Sequence, residues 1–297
     1  MIRKLIGISS TLTFALMIAQ AADTAPARSN MNAADIVSRN VEARGGLQAW
    51  RKVQSLSMQG KLGAGGNQRN TLPLPLPEKN GSKLALPPRP AEEAQLPFQM
   101  DMQRPRKSRF EIQFNGKTAV QVFDGTNGWK LRPYLNRLQV ESFTADELKT
   151  SSMQPDLDGP LVDYAAKGTR IELEGIEKVD NRDAYNLKLT LKDGRTLHVW
   201  VDTQTFLEAK IEGQPRRLDG IAHPVEVYYR DYRAVSGLQI PFVLETKVLP
   251  AAKAPTLVRE TPIPTEKIVI DAVVVNPKLD ASLFAKPQVS AALSHNN

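Results

Sequence analysis

Between Thr169 and Gly213, apolar and polar side chains alternate along one strand-like stretch after another. In NRDAYNLKLTLKDG, Tyr185, Leu187, Leu189 and Leu191 fall on one side, and Asn186, Lys188, Thr190 and Lys192 on the other. Successive side chains of a strand point to opposite faces, so a period of two marks a sheet with one apolar and one wetted face. Leu197, Val199 and Val201 repeat the pattern beyond the turn at Asp193-Gly194. Such a sheet must cover its apolar face with helices, close on itself, or offer that face to an apolar ligand.

The same alternation recurs earlier. Phe110, Ile112 and Phe114 oppose Arg109, Glu111 and Gln113, and Asn115-Gly116 is a strong two-residue hairpin signal. Thr118 to Phe123, with Val120 and Val122, follows. A tight turn over Asp124 to Gly128 leads into Trp129 to Arg132. Val53–Leu62, Phe98–Gln103, Val225–Tyr232, Leu238–Val248 and Glu266–Val275 complete the expected strands.

Helices are few. Asn32 to Arg44 carries the stripe Ile36, Val37, Val41 and ends at Gly45-Gly46. Leu47 to Lys52 reads as a short second helix. Thr144 and Glu147 form a capping box for TADELKT. Asp158 to Lys167 reads as another helical stretch, ended by Gly168, and Asp280 to Phe284 as a closing turn. The expected fold is mainly β (α+β): one large antiparallel sheet with helices placed over one face.

The N-terminus has the make-up of a cleavable secretory signal: Arg3 and Lys4, an apolar stretch from Leu5 to Ile18, and Ala19-Gln20-Ala21 as the small-x-small site. Residues 1–21 are expected to be removed. Residues 22–286 then form a single domain with a proline-rich insertion at 63–97, followed by a flexible tail at 287–297. Proline fixes its φ and lacks a donor, so the insertion is expected to be neither sheet nor helix. Its leucines (Leu72, Leu74, Leu76, Leu84, Leu86) suit either a poorly ordered loop or a flap over an apolar cavity.

The chain has no cysteine. That excludes disulfides, thiolate metal sites, a cysteine nucleophile and lipidation behind the signal sequence. The formal charge of +7 is spread along strand polar faces, which suits solvation or anionic headgroups at a membrane surface, and nucleic acid is not an expected partner of an exported chain. His198, His223 and His295 lack metal-ligand spacing. No GxSxG elbow, P-loop or strand-borne GxGxxG is present. Asp156, Asp158 and Asp163 lead into a helical stretch, where aspartate serves as a cap. No catalytic residue, metal or cofactor is expected.

Several stretches resemble a known family: VEARGGLQAWRKVQSLSMQGKL, the D-G-x-x-G-W turn (Asp124, Gly125, Gly128, Trp129), Val199 to Leu207, and Tyr232 to Phe242. They are similar to the LolA/LolB-like periplasmic outer-membrane lipoprotein-sorting proteins over most of residues 32–285, outside the insertion. The insertion departs from the small sorting proteins and marks a divergent relative. The resemblance implies a half-open β-barrel with helices across its concave face and an interior that accepts acyl chains of lipids or lipoproteins.

The resulting expectation is a periplasmic carrier or chaperone-like protein. Its lining would be Phe110, Ile112, Phe114, Val120, Val122, Leu187, Leu189, Leu191, Leu197, Val199 and Val201. The alternative is a non-enzymatic interaction or regulatory protein with a plugged barrel, which holds an envelope partner on an edge strand or on the proline-rich loop.

Overall fold

The computed structural model describes residues 31–64, 94–133, 137–154, 156–218, 220–251 and 265–288. The expected signal peptide (1–21), most of the proline-rich insertion (65–93) and the end of the tail (289–297) lie outside the described residues.

Helix α1 (Ala33–Ala43) starts where Asn32 Oδ1 accepts the Asp35 N–H at 2.9 Å, and it buries Ile36, Val37 and Asn40. It ends at Gly45, whose φ of +112° disfavours any side chain. A Cβ there would also lie 2.3 Å from the Gly237 carbonyl oxygen, so glycine lets a distant hairpin dock on the helix end. Helix α2 (Leu47–Arg51) follows.

The first meander is β1 (Ser55–Ala64), β2 (Ala94–Gln103), β3 (Lys107–Phe114), β4 (Lys117–Phe123), β5 (Gly128–Arg132) and β6 (Arg137–Ser142). Helix α3 (Ala145–Ser152) carries the expected capping box, Thr144 with Glu147. The second meander is β7 (Arg170–Val179), β8 (Arg182–Thr190), β9 (Thr196–Asp202), β10 (Glu208–Glu212), β13 (Val225–Val235) and β14 (Leu238–Val248). A small separate hairpin, β11 (Arg216–Leu218) and β12 (Ile221–His223), interrupts it. The last strand, β15 (Glu266–Val275), pairs with β1 on one side and β14 on the other. The result is one thirteen-stranded sheet in the order β6-β5-β4-β3-β2-β1-β15-β14-β13-β10-β9-β8-β7. All its ladders are antiparallel, and its ends β6 and β7 do not meet. It is curved into a half-open barrel with the helices across the concave face.

Two expectations need correction. Residues 63–64 and 94–97 belong to strands, although the whole of 63–97 was expected to lie outside the sheet. Pro97 is tolerated because β2 meets β3 only from Phe98 onward, so at Pro97 it has a ladder neighbour on the β1 side alone. The stretch Asp158–Lys167 is a run of turns, not a helix. Asp163 sits at φ +53°, which breaks the right-handed repeat, and Gly168 at +75° ends the run.

Directly paired residues of neighbouring strands share a face. Tracing the registers from Leu187↔Val199↔Ile211↔Val227 to Phe98↔Ile112 defines one continuous inner face. Two core clusters lie on it. Ile36, Val37 and Leu161 pack on Leu187, Leu189, Val199, Val201 and Ile211. Trp50, Val53 and Val162 pack on Leu56, Phe98, Leu238, Ile240, Phe242 and Ile270. A third cluster, Val120, Val122, Leu131 and Phe284, is on the outer face.

Candidate ligand-binding face

The inner face divides into two halves. Over β8 and β9 the helix α1 covers it closely: Leu187, Leu189, Val199 and Val201 have no exposed surface, while Ile171, Leu173, Ile176 and Leu197 at the margin are half-buried. Over β1–β3 and β15 the cover is partial. Met58, Leu62, Met100, Met102, Phe110, Ile112 and Ile268 pack against the second core cluster but remain half-buried. The Phe98 and Phe110 rings lie 5.8 Å apart there. A groove of about 520 Å³ also opens between α1 and the 161–166 turns, lined by Val37, Val41, Leu47, Leu161 and Tyr164. That is within the roughly 300–1,000 Å³ usual for small-molecule sites.

Buried charge fixes the cover in place between the halves. Arg44 at the end of α1 meets Glu208 of β10 at 3.1 Å and donates to the Asp158 carbonyl at 2.8 Å. Its guanidinium lies 4.4 Å from the centre of the Trp50 ring. The Asp158 carboxylate, almost fully buried, takes Arg104 at 2.7 Å and Lys167 at 2.6 Å. Asp163 accepts both ends of the Arg51 fork, at 2.6 and 2.8 Å. The Arg51 hydrogen bonds hold the Asp163 carboxyl below its ordinary value. Tyr232 donates to Glu208, and burial, followed by the Glu208 charge, pushes its hydroxyl pKa well above the ordinary phenol range. The aspartates of this segment serve as tethers.

The sequence-derived lining residues are not brought together. Phe110 and Ile112 stand on the half-covered part of the inner face. Phe114 continues their row but is 39% exposed at the hairpin tip. Leu187, Leu189, Val199 and Val201 lie under α1, with Leu197 partly buried against them. Leu191 lies just past the end of β8, where its N–H donates to the Arg195 carbonyl. Val120 and Val122 are on the outer face, because they pair with Glu111 and Arg109 and not with Phe110 and Ile112. Sequence reasoning did not use Met58, Leu62, Met100, Met102 or Ile268, although the alternation Phe98, Met100, Met102 was visible in β2.

The outer face over β7–β10 is polar around a small buried cluster of Val179, Ala184, Trp200 and, from β13, Tyr228. His198 has one ring nitrogen 3.2 Å from Glu174 and the other 2.9 Å from Glu212. Trp200 donates to Glu177 at 2.8 Å and carries Lys210 over its ring at 3.8 Å. Among the described residues, no group of three His, Asp or Glu side chains could hold a metal ion, and no helix is long and apolar enough to cross a membrane.

No family model and no curated protein matches this chain. Among solved structures, it is similar to a LolA superfamily protein from Nitrosomonas europaea, with TM-score 0.50 and 13% identity, covering 86% of this chain and 98% of that one. A DUF1329 family protein from Desulfovibrio piger matches with TM-score 0.49 and 13% identity, covering 85% of this chain and 95% of that one. The first likeness shows the fold alone: this chain has a half-open barrel similar to that of this LolA superfamily protein.

Proposed function

We propose that this chain is a non-enzymatic periplasmic carrier that holds an acyl chain of a lipid or lipoprotein on the half-covered part of its inner face. The observation that carries the reading is the contiguous row of half-buried apolar side chains on β1, β2, β3 and β15, beside a half whose centre, Leu187, Leu189, Val199 and Val201, is fully covered. A contiguous apolar surface left partly open favours an apolar occupant. Methionines at 58, 100 and 102 suit a variable chain, since the thioether side chain adapts to irregular shapes. A dozen methylenes taken from water gain roughly 10 kcal/mol before the cost of ordering is set against it.

Phe110 and Ile112 are the sequence-derived lining residues assigned to this trough, and Phe114 to its rim. The signal-like N-terminus supports export to the periplasm. The pairing of Asp158, Asp163 and Glu208 with cations supports a non-enzymatic role.

The test is native mass spectrometry with lipid extraction on protein purified from the periplasm. A co-purifying lipid or acylated peptide identifies the cargo. An apo mass, with no uptake of added palmitate or phospholipid, defeats the reading. It would favour instead an interaction protein whose barrel is plugged by its own helices, for which the fully covered centre under α1 speaks.

A further inference from the structure

The outer face is not polar throughout. On β4 and β5, Val120, Val122 and Leu131 form an apolar pocket. Its occupant is the chain's own C-terminal arm, which leaves β15 at Asn276 and turns through a short 3-10 segment, Ala281–Phe284. Phe284 is the anchor, 2% exposed, with Leu279 and Leu283 half-buried beside it. The sheet grips the arm with two basic side chains. Arg109 donates to the Leu283 carbonyl at 3.1 Å, and the Lys107 ammonium lies 6.0 Å from the centre of the Phe284 ring.

The arm has the marks of an occupant that can leave. It adds no strand to the sheet. Lys278, Asp280, Ala281, Ser282 and Ala285 are exposed, which leaves one aromatic anchor and two flanking leucines to hold it. The start of the arm stays tied to β1, where the Ser55 hydroxyl donates to the Pro277 carbonyl at 2.8 Å. Among the described residues beyond Phe284 there is no further element of the sheet, so release of residues 277–288 breaks no described strand. Segments with few buried contacts open locally, far below the cost of global unfolding.

We infer that this outer-face pocket is a peptide-docking site, held in cis by residues 277–288. A partner protein that presents the same pattern takes the place of the arm: one leucine, a second four residues on, and a phenylalanine directly after it. Lys107 and Arg109 read the aromatic face and the carbonyl before it. This second site is independent of the inner-face trough.

The test uses the full chain and a fluorescent peptide, PKLDASLFAKPQ, identical to residues 277–288. Fluorescence anisotropy should show saturable binding to the Phe284→Ala protein, at least tenfold tighter than to the wild type, whose pocket is occupied. The same peptide with its Phe replaced by Ala should bind at least tenfold more weakly. A folded Phe284→Ala protein that does not bind the peptide overturns the inference. Hydrogen exchange on the wild type covers the case in which that variant fails to fold. The Leu283 and Ala285 amides should exchange at least tenfold faster than the paired amides of β4, and equal rates would make the arm an inseparable part of the core.

Discussion

Leu189→Ala and Ile112→Ala remove the same number of carbons from the two halves of the inner face, so their difference measures how well each half is filled. Leu189 has no exposed surface and packs beneath α1 in the first core cluster. Its truncation loses the transfer energy of the side chain and leaves a cavity that the pinned helix cannot fill, for about 3–4 kcal/mol within the usual range. For a domain of this size that lowers Tm by about 6–16 °C. Ile112 is half-buried. Three carbons at ~0.8 kcal/mol each, half withdrawn from water, are worth about 1 kcal/mol, and a site that already meets solvent leaves no closed cavity. Urea denaturation of ligand-free protein, read as a midpoint shift at constant slope, separates the two. With palmitate at a hundred times its Kd, the wild type should gain about 2.7 kcal/mol. The Ile112→Ala protein should gain less, because its trough has lost part of its contact surface. If Ile112→Ala costs the ligand-free protein as much as Leu189→Ala does, the trough is a filled core and the carrier reading loses its site.

A charge at the sealed position is expected to be worse than a cavity: Leu189→Asp should give no folded protein, and a wild-type melting curve for it would refute the placement under α1. Glu208→Ala leaves the Arg44 charge buried and unpaired and should cost about 3–5 kcal/mol, whereas replacing both with apolar residues should recover much of that loss in a double-mutant cycle. Gly45→Ala must place a Cβ against the Gly237 carbonyl at φ +112°, so it should destabilise by more than the ~1–2 kcal/mol expected for Gly194→Ala, where φ is +84° but the space is open; urea midpoints compare them. Acid should also weaken the fold. The Arg51 hydrogen bonds hold the Asp163 carboxyl low, and Glu147 is low because hydrogen bonds from Lys130 and the Thr144 N–H outweigh the upward effect of burial. Both groups protonate first in the unfolded chain, so their stabilisation is complete above about pH 4.5 and fades as pH falls through the lower native values. Asp163→Asn and Glu147→Gln should each flatten the loss of urea midpoint between pH 5 and 3.

The strands and their apolar phase were legible because alternation is a local property. So were the caps at Asn32 and Thr144 and the Asn115-Gly116 hairpin, where φ values of +47° and +72° match the type I′ turn that this dipeptide favours. The split of the candidate lining was legible too, but only through the turn. A two-residue loop pairs Phe114 with Lys117 and therefore sets Val120 opposite Glu111. Alternation alone makes β4 look like another inward row, and the residue that covers it, Phe284, is too distant in sequence for any local pattern to reveal. The 158–167 stretch failed for a different reason. Leu161, Val162 and Tyr164 have helical spacing, but the Asp163 side chain is drawn into the Arg51 fork while its backbone is left-handed. That tertiary contact overrides a local preference.

The place of β15 ties the two halves of the inner face to each other. Each meander forms from neighbouring strands and can pair locally, but β1 and β14 never touch directly in the ladder order; the last strand lies between them. The half-covered trough takes Met58 from β1, Met100 from β2, Phe110 and Ile112 from β3 and Ile268 from β15, so it exists only once the final strand is in place. The helix α1 crosses the other way. It precedes the first meander in sequence, with only α2 between them, yet it packs on β7–β10, where Asn40 donates to the Phe206 carbonyl and Arg44 meets Glu208. An N-terminal helix that covers the C-terminal meander and a C-terminal strand that completes the first are both long-range closures, which cost loop entropy before they return any contact. The molecule can therefore keep one half densely filled and the other half partly open within a single sheet. The dense half, with its buried ion pairs, supplies the rigidity, and the half-covered part is free to stay incomplete, as the proposed carrier role requires.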